Sequence, residues 1–304
     1  MVGWGAPWDM TSFSPEVVAI FGPTASGKSA VSEIVAGELG TEVVSADALQ
    51  VYRGLPILTN QPEAPTRLVA IRDLSHEFSV GEYAELAHDE IDKLVRAHGA
   101  AVVSGGTGLY LRAALVDLEL PSAVETGARR RWEALYDDSP DEANQRLREL
   151  DPAAAAFVHR NDRRRVVRAL ELAEAGGSLV PTRNRLWSRD TRRPTLVVGL
   201  AIPPDRLEQR IRDRTADMFA RGVIDEVRHA LGNGVSRTAE KALGLRELSE
   251  SSPEVAQERL VTRTRRYAAY QRKWMRRIPS LVMINGDRPP EEVAGEIVSL
   301  VRAR

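Results

Sequence analysis

The segment Gly22-Pro23-Thr24-Ala25-Ser26-Gly27-Lys28-Ser29 holds the residues best suited to chemistry, because it fits the pattern G-x-x-x-x-G-K-[ST]. In that pattern glycines let the loop wrap so that backbone N–H groups converge on a phosphate, and the lysine adds a full positive charge. The Ser29 hydroxyl is placed to hold a hydrated Mg2+. The bland alternative is a glycine turn capping an ordinary helix. Enzymes that act on nucleoside triphosphates through such a loop keep a second acid for the metal on a neighbouring strand. Here the apolar run 101–103 continues into Ser104-Gly105-Gly106-Thr107-Gly108 without an acid, which counts against an ordinary NTPase. Gly105, Gly106 and Thr107 read either as a second loop approaching a phosphate or as a plain strand-to-helix turn. An acid does follow a different apolar run, as Ser45-Ala46-Asp47. Ionised at neutral pH, it can accept a proton, or else it caps the helix expected near Ala48.

These groups need a scaffold that brings three loops to one place. Val17-Val18-Ala19-Ile20-Phe21 is a continuous apolar run, as in a strand covered on both faces, and it leads directly into the glycine loop. The pattern predicts a helix over 28–39, a strand over 42–45, a helix over 82–96 and a strand over 101–103. That alternation implies a parallel α/β sheet, a P-loop NTPase-like core flanked by helices. From 120 to 178 strand signals vanish, and 125–136, 140–149 and 162–175 read as consecutive helices. A strand over 195–200, helices over 204–218 and 223–231, a long helix over 253–277, a strand near 281–284 and a closing helix from Pro290 resume the core. The expected organisation is a loosely ordered extension (1–14), a discontinuous catalytic core (15–119 and 190–304) and an all-helical insertion (120–189).

Composition narrows the chemistry. The 304 residues are 43% hydrophobic, enough for a sizeable core, and contain no cysteine. Disulfides, thiolate metal sites and cysteine nucleophiles are thereby excluded. No apolar run approaches the roughly 18 residues of a membrane span and no secretory signal opens the chain, so a cytoplasmic location without membrane contact is expected. The formal net charge is −1, yet residues 261–277 carry seven Lys or Arg and no acid. A near-neutral protein can still offer a basic face to a polyanion.

Taken in order, the motifs resemble those of the tRNA dimethylallyltransferase family. The likeness rests on the glycine loop, on Ser45-Ala46-Asp47 through Gln50-Val51-Tyr52-Arg53-Gly54, and on Gly105-Gly106-Thr107-Gly108-Leu109-Tyr110. It continues through Asn161-Asp162-Arg163-Arg164 with Arg168-Ala169-Leu170-Glu171, and through Thr264-Arg265, Gln271, Trp274 and Arg276-Arg277. The resemblance implies transfer of a dimethylallyl group from dimethylallyl diphosphate to the N6 amine of an adenosine beside the anticodon. The diphosphate then occupies the loop from Gly22 to Ser29 as a leaving group, with Gly105, Gly106 and Thr107 beside it and Mg2+ on Ser29. Lys28 and Arg214 neutralise its charge, Asp47 accepts the amine proton, and Thr24 bonds the amine or the diphosphate. The resemblance also implies that Gln50 reads bases next to the target, that Gln271 lies on the RNA path, and that the helical insertion holds the anticodon stem. Arg164, Arg165 and Arg168, with Arg160 and Arg163, then form a phosphate-binding surface, unless they are only a solvated helix face. A monomer is the family expectation.

Four stretches depart from the family pattern. Thr59-Asn60-Gln61-Pro62 stands for Thr-Ala-Lys-Pro, Thr66-Arg67 for a His-His pair, Ala268-Ala269-Tyr270-Gln271 for Ala-Lys-Arg-Gln, and Ala242-Leu243-Gly244-Leu245 for Ala-Ile/Val-Gly-Tyr. They leave open a free adenine nucleotide as acceptor and, with the basic segments, a non-catalytic RNA-binding relative; the glycine loop by itself would also suit a P-loop small-molecule kinase.

Overall fold

The structure, a computed structural model, describes residues 14–120, 126–183, 185–232, 234–242 and 244–303. The expected extension up to residue 13, the first residue of the helix expected at 125, and Leu243 lie outside these. The chain divides into two compact units, Leu118–Arg185 and the remainder on either side of it. The sequence places the insertion at 120–189; the division falls at 118 and 185.

In the larger unit, β1 (Val17–Phe21) is buried at all five residues and feeds through the glycine loop into α1 (Lys28–Glu38). Then come β2 (Val43–Ser45), β3 (Thr66–Arg67), α2 (Val80–His98), β4 (Ala101–Gly105) and α3 (Gly108–Leu115). All strands pair in parallel, in the order β3-β2-β4-β1-β5-β6, where β5 is Thr195–Ala201 and β6 is Val282–Asn285. The smaller unit follows, with α4 (Thr126–Asp138), α5 (Pro140–Leu150), α6 (Pro152–Phe157) and α7 (Arg163–Glu174). The core resumes with β5 (Thr195–Ala201), α8 (Pro204–Ala220), α9 (Val223–Gly232), α10 (Leu245–Glu250), α11 (Pro253–Met275), β6 (Val282–Asn285) and α12 (Pro290–Arg302).

Local chemistry sets the element ends. The Ser79 hydroxyl accepts from the Glu82 N–H at the start of α2, and Gly99 (φ 77°) closes it in a left-handed turn. Ser139, Asp151 and Asp162 cap α5, α6 and α7 in the same way. Packing does the rest. Val18 and Ile20 of β1, Val198 and Leu200 of β5, Val31 and Val35 of α1, and Val293 and Ile297 of α12 form one core. Trp132, Tyr136, Leu147, Val166 and Leu170 form the separate core of the helical unit.

Four elements escape the sequence reading: β3, α3, α6 and α10. Each is eight residues or fewer, too short to display a hydrophobic period. Thr66-Arg67 builds β3, from which Arg67 forks onto both carboxylate oxygens of Glu42, at 2.8 and 2.7 Å. The long helix ends at Met275, two residues earlier than expected.

Candidate active site

Because β2, β4 and β1 are parallel neighbours, the loops after them open on one edge of the sheet, the usual place for a ligand in an open α/β fold. The loop after β1 makes its turn with Ala25 at φ 62° and Gly27 at φ 85°. Gly27 stands at the N-cap of α1 and no side chain caps that end, so the first-turn N–H groups remain for an anion. The Ser26 hydroxyl is 2% exposed and has no partner, another buried donor in the same loop. Lys28 Nζ donates to the Pro23 carbonyl at 3.3 Å. Lys28 is half-buried by area, yet its ammonium is enclosed enough that desolvation lowers its pKa to about 8, against the raising influence of Asp47.

Around this loop three further side chains converge. Arg214, from α8, donates through Nη1 to the Thr24 hydroxyl at 2.7 Å, and burial lowers its pKa. Asp47, just past β2, bears electrostatically on Lys28, Arg214 and Tyr267, so the four face one space. One Asp47 oxygen accepts from the Leu49 N–H at 2.9 Å. The helix expected near Ala48 does not form; the chain turns there, and this oxygen caps the turn, while the second oxygen has no protein partner among the described residues. β4 closes with Ser104-Gly105, and the Ser104 hydroxyl accepts from Ser32 of α1 at 2.7 Å; no acid occupies that place.

Gln271, expected on the RNA path, sits between two loops. Its side-chain oxygen accepts from the Thr24 N–H and its Nε2 donates to the Gly106 carbonyl, both at 2.8 Å, and it is 2% exposed. Buried with both ends engaged, it ties the two loops together. The glycines after β4 also answer a packing need. A Cβ on Gly105 would lie 2.2 Å from the Ala46 carbonyl oxygen, one on Gly106 2.2 Å from Gln271 Nε2, and one on Gly108 2.3 Å from the Trp274 ring. Of that loop, Thr107 keeps a functional group toward the site: its hydroxyl lies 3.2 Å from that of Tyr267. Tyr267 is a site residue that the sequence reading missed, and its pKa is raised by burial and then by Asp47. The signal was available, since it sits one helical turn before Gln271.

Comparison with known proteins fits this geometry. The family model described as IPP transferase matches residues 50–278, and one described as Isopentenyl transferase matches residues 15–70. A tRNA dimethylallyltransferase of Streptomyces coelicolor is 36% identical over 287 residues, covering 90% of this chain and 91% of its own. This chain belongs to the IPP transferase family. A tRNA dimethylallyltransferase of Kineococcus radiotolerans is 37% identical over 283 residues, covering 86% and 88%. Among solved structures, the tRNA isopentenylpyrophosphate transferase of Bacillus halodurans is similar with TM-score 0.66 and 30% identity, over 95% of this chain and 97% of that one. A eukaryotic dimethylallyltransferase acting on tRNA shares the fold, with TM-score 0.76 at 24% identity over 96% of this chain and 80% of its own.

Other positions suggested by the family pattern fall as follows. Gln50 accepts from the Ser45 hydroxyl at 2.9 Å and donates to the Asn60 carbonyl at 2.8 Å, so its amide holds the 59–60 turn. Gln61, where the family has lysine, donates to the Tyr52 and Gln50 carbonyls at 2.7 and 3.2 Å, and Glu226 accepts from the Ile57 and Leu58 N–H groups. The substituted segment is thus a fastened loop. In the helical unit, Arg164 and Arg165 are exposed, Arg165 over the Phe157 ring, while half-buried Arg168 pairs with Glu171. Among the described residues no cluster of three Asp, Glu or His forms a metal cage. Near the cradle stand the Ser29 hydroxyl and Asp47. That sparse oxygen set fits Mg2+, which keeps its waters and takes most of its ligands from a phosphate.

No helix among the described residues is long and apolar enough to cross a membrane.

Proposed function

We infer that this chain transfers a dimethylallyl group to an adenosine of tRNA, the activity named for its relatives. The observation that carries the mechanism is the convergence of Thr24, Lys28, Asp47 and Arg214 on one sheet edge, beside a strand that closes with Ser104-Gly105 and no acid. A cradle without that acid suits a diphosphate that departs whole rather than a triphosphate that is cleaved.

In the proposed reaction the loop amides from Gly22 to Ser29, with Lys28, bind the diphosphate of dimethylallyl diphosphate. The allylic C–O bond breaks and its electron pair leaves with the diphosphate. Lys28, Arg214 and the orphaned Ser26 hydroxyl stabilise the charge on those oxygens, the largest demand of such a step. The N6 amine forms the new C–N bond, and its proton passes to the free oxygen of Asp47. Thr24, whose hydroxyl accepts from Arg214, keeps its own hydrogen for the amine or the diphosphate. Tyr267 and Thr107 line the acceptor side. Ser29 would hold Mg2+, which would add further neutralising charge when bound. Arg164 and Arg165 are available for phosphates of the anticodon stem.

Incubation of the protein with labelled dimethylallyl diphosphate and tRNA, followed by mass spectrometry of the nucleosides, tests the reading. A prenylated adenosine is expected. Label in AMP but not in tRNA reassigns the acceptor to a free nucleotide; phosphate release from ATP, with no label in either, overturns the assignment.

A further inference from the structure

The side of α11 next to the site carries a feature that the reaction above does not use. Tyr270 is 55% exposed and no ring or cation covers it among the described residues. At 3.6 residues per turn, Arg266, Tyr270 and Lys273 fall on one line of the helix, adjacent to the line of Tyr267, Gln271 and Trp274 that faces the crevice. Arg266 and Lys273 are exposed and have no acid partner among the described residues. Just beyond the helix end, Arg277 stacks at 3.9 Å over Trp187, which packs at 4.9 Å against Trp274.

This is unusual in a unit whose surface cations are mostly neutralised. Arg53 pairs with Asp73, Arg67 with Glu42, Arg210 with Asp287 and Arg265 with Glu208. On this line of α11, two cations left without acids flank a bare aromatic ring. Phosphates alone would be served by the cations, and a protein partner by a broader apolar surface. The alternation of cation, ring and cation matches the backbone and bases of unpaired nucleic acid, in which bases stack on aromatic side chains and phosphates meet Lys or Arg. The position is also right: Tyr270 is close enough to Tyr267 to influence its ionisation, and Tyr267 in turn is influenced by Asp47.

We propose that Tyr270 is a stacking platform for an unpaired base beside the target adenosine, with Arg266 and Lys273 holding the phosphates of the same strand. This rests on the tRNA reading and adds to it the path by which the single strand reaches the crevice.

The test is direct binding of an anticodon stem-loop RNA, by fluorescence anisotropy, to the full chain and its variants, alongside the transfer assay. Tyr270→Ala is expected to weaken binding about fivefold or more, the lower range for one stacked base. Tyr270→Phe, which keeps the ring, is expected to bind like the parent. Arg266→Ala with Lys273→Ala is expected to flatten the dependence of log affinity on log salt by about 1.4, for two single-strand phosphates. Equal affinity of Tyr270→Ala and the parent, or no binding by the parent, overturns the platform. Loss in Tyr270→Phe equal to that in Tyr270→Ala overturns it too, because the hydroxyl and not the ring then matters. A parent that binds in this pattern but transfers no prenyl group overturns the proposed function alone.

Discussion

The crevice of the larger unit and the arginine-rich face of the helical unit both carry positive charge, but they hold it differently. In the crevice, Lys28 and Arg214 are desolvated and their pKa values are pulled down; Arg214 is bonded to a hydroxyl rather than to an acid. In the helical unit, Arg160 pairs with Asp141 and Arg163 with Asp137, both at the surface. Exposed pairs of that kind are worth about 0–1 kcal/mol and exchange partners readily. A buried cation short of a counter-charge is a standing demand for an anion, whereas a paired surface cation contributes to long-range attraction and is easily replaced. Chemistry belongs to the first arrangement, and tolerant contact with a polyanion to the second.

The contrast implies steep effects in the crevice and shallow ones on the helical unit. Asp47→Ala is expected to lower kcat by about 10²–10⁴, the range for a general base. Asp47→Asn separates the two uses of this residue: it still accepts the Leu49 N–H but cannot take a proton. A near-normal kcat in Asp47→Asn would reduce Asp47 to a turn cap. Lys28→Ala is expected to cost about 10²–10³ in kcat through lost stabilisation of the leaving oxygens, measured in single-turnover transfer.

Gln271→Ala orphans the Thr24 N–H and the Gly106 carbonyl, at about 1–3 kcal/mol each. Thermal unfolding should show a lowered Tm, and the KM for dimethylallyl diphosphate should rise. An unchanged Tm would mean that the strut is not holding the loops.

The fourth expectation concerns pH. Lys28 in the free protein titrates at about 8, lowered by burial, and a bound diphosphate favours its charged form. Below pH 8 the lysine is already protonated and donor affinity is flat. Above pH 8 binding must take up a proton, so donor KM should climb toward about tenfold per pH unit. Lys28→Arg, which stays charged, should remove that rise even if it binds less well. The smallest effect is expected from Arg164→Ala, which should leave kcat unchanged and lower the salt slope of tRNA binding by about one.

What the sequence alone determined is local. A buried strand, a glycine loop and a helix are contiguous, so Gly22 to Ser29 could be read as an anion cradle from residue types and order. Asp47 was legible because it directly follows an apolar run, and the missing acid after β4 because Ser104-Gly105-Gly106 is printed in the chain. The consecutive helices of the insertion followed from short-range pattern. What only the tertiary structure decided is which distant residues meet. Gln271 lies 247 positions from the Thr24 it holds, and Arg214 lies 190 from the same residue. No periodicity encodes such a pair, because side-chain direction depends on how α8 and α11 pack across the sheet edge. For the same reason the packing need for glycine at 105 and 106 appears only when Ala46 and Gln271 are seen against them. Tyr270, likewise, was only a departure from a pattern until packing left its ring bare between two cations.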